Sequence, residues 1–407
     1  MSAGSAGHRV AAMLADHCRR TGLAGKPGLP RVLQEMVEGI VWSSSVQLTN
    51  AARRFCREPR KLAKAVKRMS AHLGDKRVDH HPWLKGLWAY QGSLVGELDP
   101  IAVDATELAK PYARHLEYQC TVRDASGKAK AGGHDEPLVP GYWVLGAYHW
   151  QERGRILSPL LLVPYSQELP EFKSENDCWQ KAFYDLARAT GGRGVWVLDR
   201  GNDRPEIFKT LLLCQKRWIV RLRQDRPLLG PDGTLRSAGQ WAQEALLTRP
   251  ERGRGVTLAV QLPLAGGSIS ERLHLVVTTY RLGKKREPLI LLTRGLIGHH
   301  VGTRQVRRFY ARRWRAEDAK RFFGQLWHVE RFLTRSYVAL ERMLGCVTCA
   351  GGFLADLQRQ SPDLAQELER EGVLYTHQED KVPCYRMARG IQALALRCDP
   401  PSLLQNA

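Results

Sequence analysis

Acidic residues are scarce in this 407-residue chain: 41 Asp and Glu stand against 62 Lys and Arg, a formal net charge of +21. That imbalance calls for an anionic partner. Nucleic acid is the most natural one, because each neutralised phosphate releases counterions. No uncharged apolar run approaches the roughly 18 residues of a membrane helix, so the sequence predicts no membrane span. The stretch MSAGSAGHRVAAMLADHC lacks the basic-then-apolar order of a signal peptide, and a cytoplasmic protein is expected. Cysteine is too sparse for a disulfide framework: the nine thiols are odd in number and scattered from Cys18 to Cys398, the pattern of reduced residues. There is no phosphate-binding lysine loop, no GxGxxG turn before a helix and no GxSxG elbow. With 43% hydrophobic and 25% charged residues, the chain has the composition of a folded protein of roughly two to four domains.

The positive charge is concentrated in two places. Residues 1–97 hold sixteen Lys and Arg against seven acids, and 303–342 hold eleven against four. The first block reads as helices: PRVLQEMVEGIVW, then SSSVQLTNAARRFC and REPRKLAKAVKRMSAHL, the last two parted near Pro59. In the last of these, Arg60, Lys61, Lys64, Lys67 and Arg68 share a helical face, with Leu62, Ala65, Val66 and Met69 as its apolar back. A basic face preceded by a short helix with Ser/Thr caps predicts a helix-turn-helix reader of double-stranded DNA, against the plainer reading of a solvated face.

From about residue 98 the pattern changes to strands: IAVDAT, HLEYQCTV, GYWVLGAYHW and RILSPLLLVPY, parted by turn-rich stretches such as DASGKAKAGGHDEP. The helix SENDCWQKAFYDLARAT, the strand GVWVLD, the helix RPEIFKTLLLCQ and the strand WIVRLR then alternate, which predicts a mixed α/β core. GVTLAVQLPL, RLHLVVTTYRL and EPLILLTRGLI read as a β-rich insertion, followed by one long helix from Thr303 to about His328. The expected division is a helical DNA-binding domain at 1–97, an α/β core at 98–223, a β-rich insertion at 224–300, the rest of the core at 301–335 and a helical region at 336–407.

Three carboxylates stand where structural need is weakest. Asp104 interrupts an apolar strand, Asp199 closes GVWVLD at the carboxyl end of a strand, and Glu317 lies in FYARRWRAEDAK. Each has an ordinary alternative as a turn cap, a helix N-cap or an ion-pair partner. Three carboxylates brought together repel one another unless cations intervene, and hard divalent ions with oxygen ligands serve that purpose. On one continuous helix counted from Tyr310, Arg313, Glu317 and Arg321 fall with it on a face about 80° wide. A phenol and two guanidinium groups beside a metal-binding carboxylate suit a phosphodiester.

These residues resemble a DDE transposase of a bacterial insertion sequence, from the group with a Y-(2)-R-(3)-E-(6)-K signature. YARRWRAE carries Tyr310, Arg313 and Glu317 in the first three places. VDATELAKPY is similar to the segment of the first aspartate, and VLDRGNDRPEIFKTLLLCQKRWIVRLR to that of the second. The spacings, 95 residues from Asp104 to Asp199 and 118 on to Glu317, leave room for the insertion such chains carry. Gly324 occupies the place of the final Lys, so Arg321, with Lys320 as second choice, is expected to supply the cation. The place of a Trp that holds a flipped base in some relatives falls to Leu289, with Trp241 as the substitute.

The resemblance implies an RNase H-like mixed sheet core with a β-rich insertion, an all-helical N-terminal DNA-binding domain and a helical C-terminal region. It implies two Mg²⁺, with Mn²⁺ able to substitute, held by Asp104, Asp199 and Glu317, Asp104 bridging both. Arg200, beside Asp199, joins Tyr310, Arg313, Lys320, Arg321 and the 60–68 cations as phosphate contacts. The implied protein binds inverted-repeat ends and target DNA as a homodimer and resides in the bacterial cytoplasm at the nucleoid. Two rivals share the residues: a metal-dependent nuclease of the same fold without strand transfer, and a catalytically inactive DNA-binding regulator derived from a transposase.

Other signals are set aside. Cys346 and Cys349 form a CxxC inside MLGCVTCAGGFLADL, which reads as a small-residue packing face and not as half of a zinc site. His80–His81 and His299–His300 are adjacent pairs, which cannot both face one metal on a helix, and are assigned linker or surface roles. Asp203 is expected to orient Arg200, pair with a cation or close a turn. Lys284, Lys285 and Arg286 suit either backbone contact or a charged hairpin tip.

Overall fold

The structure is a computed structural model that describes residues 3–23, 27–56, 58–111, 113, 115–123, 138–151, 155–248, 255–282, 285–298, 301–373 and 383–398. The turn-rich stretch at 124–137, Lys284 and the pair His299–His300 lie outside the described residues, as do the side chains of Lys285 and Arg286.

Five helices come first: α1 (Ala3–Arg20), α2 (Leu29–Ser43), α3 (Leu48–Arg53), α4 (Pro59–Gly74) and α5 (His81–Ser93). Strands β1 (Pro100–Ala109), β2 (Cys120–Arg123), β3 (Leu138–Gln151) and β4 (Ile156–Tyr165) follow. Then α6 (Glu175–Thr190), β5 (Val195–Leu198), α7 (Pro205–Cys214) and β6 (Trp218–Arg221) alternate. Next are β7 (Pro227–Leu229), β8 (Leu235–Ser237), α8 (Ala238–Thr248), β9 (Val256–Val260), β10 (Leu273–Leu282) and β11 (Lys285–Arg294). Helices α9 (Thr303–Ala311), α10 (Trp314–Arg321), α11 (Tyr337–Gln360), α12 (Pro362–Val373) and α13 (Pro383–Arg397) complete the order.

The chain forms two compact units, one of Met1–Leu94, Ala105–Ser174 and Ala316–Ala407, the other of Val95–Asp104 and Glu175–Arg315. This cuts the chain differently from the division drawn on the sequence. The N-terminal and C-terminal helices share one unit, because the apolar face of α2 packs on α11 and α13.

In the first unit α11 is the central helix, packed by α1, α2, α4, α12 and β4. Its most apolar 18-residue window reaches a mean hydropathy of 1.4, and 89% of that window is buried in the protein. Small residues let neighbours come close. A Cβ at Gly352 would lie 2.1 Å from Gln91 Nε2, and one at Gly351 2.7 Å from Pro159. Cys346 and Cys349 are buried on this packing face. Around it β2, β3 and β4 form antiparallel pairs, and the second half of β1 runs beside β3, with Lys110 N donating to Pro140 O at 2.7 Å.

A buried ion pair ties α1 to α11. His17 Nδ1 lies 2.8 Å from Asp356 Oδ2, and its Nε2 lies 3.0 Å from Cys349 O. Both ring nitrogens face acceptors, an arrangement that only the imidazolium satisfies. Burial alone would push His17 down, but Cys349 and Asp356 raise it to about 9. A raised histidine stabilises fully below its unfolded value near 6.5 and loses that contribution as pH rises through its folded value. Cys349, the larger upward cause, is itself lowered to about 5 and contributes the opposite slope over the same range, so the pair gives little net pH dependence. Asp356→Asn should cost about 3 kcal/mol at neutral pH by denaturant unfolding; unchanged stability would mean that the contact contributes nothing.

The predicted basic helix is α4, with Arg60, Lys61, Lys64, Lys67 and Arg68 exposed. Its apolar back is shallower than expected. Met69 and Leu73 reach the core, whereas Leu62 and Val66 are half-buried and line an open groove of about 750 Å³ with Leu48 and Pro59. Two of the five cations have acidic neighbours: Arg68 donates to Glu35 Oε2 at 2.6 Å, and Lys61 lies 2.8 Å from Glu58. The short helix before it, α3, is not capped by Ser or Thr as expected. Its N-cap is Gln47, whose backbone N–H donates to Ser45 Oγ at 3.2 Å in the preceding turn.

In the second unit the first half of β1 pairs in parallel with β5, and β5 in parallel with β6. The strands expected in a separate insertion extend this same sheet: β11 pairs antiparallel with β6, then come β10 and β9. The apolar sides of β10 and β11 pack with β5, β6 and α9 in a core of Val195, Val197, Ile219, Val276, Leu291, Val306 and Phe309. The segment also contains α8 and the β7–β8 hairpin, which the strand pattern did not reveal.

Candidate active site

Strand register directs the first two carboxylates toward the same end of the sheet. The parallel pairing of β1 with β5 runs Pro100↔Val195, Ile101↔Trp196 and Ala102↔Val197, an offset of 95 residues. The pairs end there; carried two residues further, that offset would set Asp104 opposite Asp199, which is still extended (φ −82°, ψ −177°). Opposed residues on neighbouring strands are about 4.8 Å apart with side chains on the same face. The next pairing, Val197↔Ile219 and Leu198↔Val220, sets Asp199 opposite Arg221 by the same step. Buried apolar runs fix each strand up to this level, and the charges begin where β5 and β6 end.

Cations and donors surround the two acids. Arg313 Nη1 lies 3.4 Å from Asp104 Oδ2, with both side chains largely shielded (12% and 14% exposed). Asn202 Nδ2 donates to Asp199 Oδ1 at 2.8 Å from the turn that follows the strand. Arg221 donates to Tyr280 Oη at 3.0 Å, and Tyr280 in turn donates to Glu287 Oε2 at 2.8 Å. Tyr310 is buried in the adjoining apolar core. Burial raises its phenol, while Arg313 and Arg221 draw it down and the charge of Asp199 raises it further. A phenol, two guanidiniums and two carboxylates thus converge in this unit.

The signature helix is not continuous, contrary to expectation. It ends at Ala311 and restarts at Trp314, because the backbone closes on i→i+3 bonds, Arg312 N to Phe309 O (3.1 Å) and Arg313 N to Tyr310 O (3.0 Å). Such bonds tighten the last turn and reset the phase of the next. The common face drawn for Tyr310, Arg313, Glu317 and Arg321 presumed one continuous helix, which this stretch is not. Trp314, at the restart, is 64% exposed, with the Arg313 guanidinium 5.2 Å from its ring centre.

Glu317 stands in the first turn of α10, in the first unit. Lys320 Nζ lies 3.7 Å from Glu317 Oε1 and donates to Ala105 O at 3.1 Å, the strand residue after Asp104. Arg321, the first choice for the missing cation, is exposed, whereas the Lys320 side chain is only 15% exposed. The helix then widens into a single π-helical stretch, Phe322–Leu326, where a Cβ at Gly324 would meet nothing within 4 Å. Its aromatic residues Phe322 and Phe323 pack on Trp327, Tyr385 and Tyr148. π-helical turns of this kind recur at functional sites.

Arg200 is exposed on the turn after Asp199, and Asp203 does not orient it. Asp203 is fully buried and accepts from Arg223 N and Arg226 Nε, each at 2.6 Å. It ties the turn after β5 to the segment after β6, so Asp203→Ala leaves a buried guanidinium uncompensated. It should cost about 3 kcal/mol by denaturant unfolding, a loss that a purely surface turn residue would not produce. Trp241, proposed for a flipped base, is buried and donates to Leu228 O at 3.3 Å; Leu289 is buried in β11. Asn202, in the turn after β5, and Arg221, the last residue of β6, escaped the sequence reading.

The chain is similar to the piggyBac transposase in a cryo-EM structure of its synaptic complex with hairpin DNA, at 10% identity and a TM-score of 0.45, over 98% of this chain and 72% of that one. No family model matches the chain, and no curated protein does.

Proposed function

We propose that this protein is a DDE transposase of the insertion-sequence kind, which cuts transposon ends and joins their 3′-OH groups to target DNA. The observation that carries the reading is the register that sets Asp104 against Asp199, with Arg313 at 3.4 Å from Asp104. Two carboxylates side by side, one within β1 and one just past β5, serve no folding purpose, since they repel. A parallel β1–β5–β6 set and an antiparallel β3–β4 pair are what an RNase H-like core would require, and they support that reading.

The donors suit Mg²⁺ or Mn²⁺: the carboxylates of Asp104, Asp199 and Glu317 offer hard oxygens only. When bound, two such ions activate the attacking oxygen and stabilise the leaving one. The chain's own groups do the positioning. Arg313 and Arg221 present guanidiniums suited to a phosphodiester, and Tyr310 fixes their orientation from the apolar side. Lys320, anchored on Ala105 O, holds Glu317. The exposed cations of α4, Arg60, Lys64 and Lys67 above all, bind double-stranded DNA through its phosphates. A homodimer brings two ends together, in a bacterial cytoplasm at the nucleoid.

The test is a joining assay. The purified chain is incubated with Mg²⁺, a supercoiled target plasmid and labelled duplexes carrying the terminal inverted repeats that flank its reading frame. Covalent joining of the labelled 3′ ends supports the reading. Cleavage without joining would make the protein a nuclease, and binding without cleavage a regulator.

A further inference from the structure

We propose that Asp79, His80, His81 and Glu341 form a site for one divalent transition-metal ion of the zinc class. Ligand atoms of Asp79, His80 and His81 all lie within 4.8 Å of one another. Tetrahedral coordination at about 2.0–2.1 Å sets neighbouring ligand atoms roughly 3.3 Å apart. His80 Nε2 lies 3.4 Å from Glu341 Oε2, near that spacing, and His81 Nδ1 lies at hydrogen-bond distance, 2.8 Å, from Asp79 Oδ1, a contact that a bound ion would replace.

A second observation points to a ligand. His80 is only 4% exposed, yet its Nε2 makes no hydrogen bond. A buried ring nitrogen without a hydrogen-bond partner is costly, and it is aimed at the Glu341 carboxylate. A metal between them satisfies both groups at once. Two imidazoles and two carboxylates neutralise a dication, and this mixed nitrogen and oxygen set selects zinc-like ions over Mg²⁺.

The adjacency that argues against such a pair on a helix does not apply here. His80 is the N-cap of α5 and His81 its first residue, and their rings lie tilted by 32° with centroids 4.6 Å apart. The site has a structural task. It joins the start of α5 to α11 just after the segment whose carbonyls, Leu73 O (2.8 Å) and Asp75 O (2.9 Å), are capped by the buried Arg342. A metal there fixes where the basic helix α4 ends.

The experiment is titration of the full chain with ZnCl₂ by calorimetry, with Co²⁺ absorption as a second readout. Wild type should bind one Zn²⁺ per chain at this site and gain melting temperature on binding. Asp104→Asn/Asp199→Asn should retain that event, which separates it from the proposed Mg²⁺ centre. Asp79→Asn and His81→Ala, both at exposed positions, should weaken it at least about 100-fold while circular dichroism stays native. Unchanged affinity in both variants, no tight Zn²⁺ in wild type, or thiolate-to-cobalt bands that place the ion on cysteines would each overturn the proposal.

Discussion

Asp104→Asn, Asp199→Asn and Glu317→Gln should each lower Mg²⁺-dependent cleavage of end DNA by at least about 10³-fold, a loss of roughly 4 kcal/mol of transition-state stabilisation. Each substitution keeps the shape of the side chain and removes one negative charge. The folded chain loses nothing by it. Asp104 and Asp199 face each other by register, so neutralising either relieves repulsion, and in Asp104→Asn the amide oxygen still accepts from Arg313. Melting temperatures should stay level or rise slightly, as at sites where function is held against stability. Binding of end DNA should change little, because the cations of α4 supply most of it. Cleavage and joining should fall together, since both use the same three groups. A variant that cuts at the wild-type rate, or that loses activity only because it unfolds, would remove that carboxylate from the chemistry.

The second large effect separates two neighbouring cations. Lys320→Ala should slow single-turnover cleavage by about 10²-fold, whereas Arg321→Ala should slow it by less than about 3-fold. Lys320 is shielded and anchored twice, to Ala105 O at 3.1 Å and to Glu317 at 3.7 Å, so removing it frees the glutamate beside the strand. Arg321 is exposed on the same helix and reaches phosphate only as one diffuse charge among many. A positioning role for Lys320 predicts a further signature: higher Mn²⁺ should recover part of the rate in Lys320→Ala, because a loosened Glu317 still binds when the ion is in excess. Equal losses in the two variants would favour general charge over position.

The strands that carry Asp104 and precede Asp199 were legible because apolar runs mark them. IAVDAT and GVWVLD each bury their residues up to the aspartate, and the 95-residue spacing of those aspartates is the register of the strands themselves. The basic face of α4 was legible from helical period alone. The break at Arg312–Arg313 was not, since the apolar and basic pattern runs on through it and only backbone bonding resets the phase. Arg221 was hidden because nothing local marks it. Its place depends on which strands become neighbours, as does the merging of β9, β10 and β11 with β5 and β6. Long-range packing also hid the union of the first and last helices, where His17 meets Asp356 across 339 positions. His80 is buried at the start of α5, against the linker or surface role expected of it, because the helix packs that end on α11.

The most direct test of the account is anomalous diffraction from crystals of the full chain with end DNA and Mn²⁺. Two anomalous peaks are expected at about 2.2 Å from carboxylate oxygens of Asp104, Asp199 and Glu317, with Asp104 touching both. Peaks ligated by other residues, or none within reach of all three side chains, would contradict it.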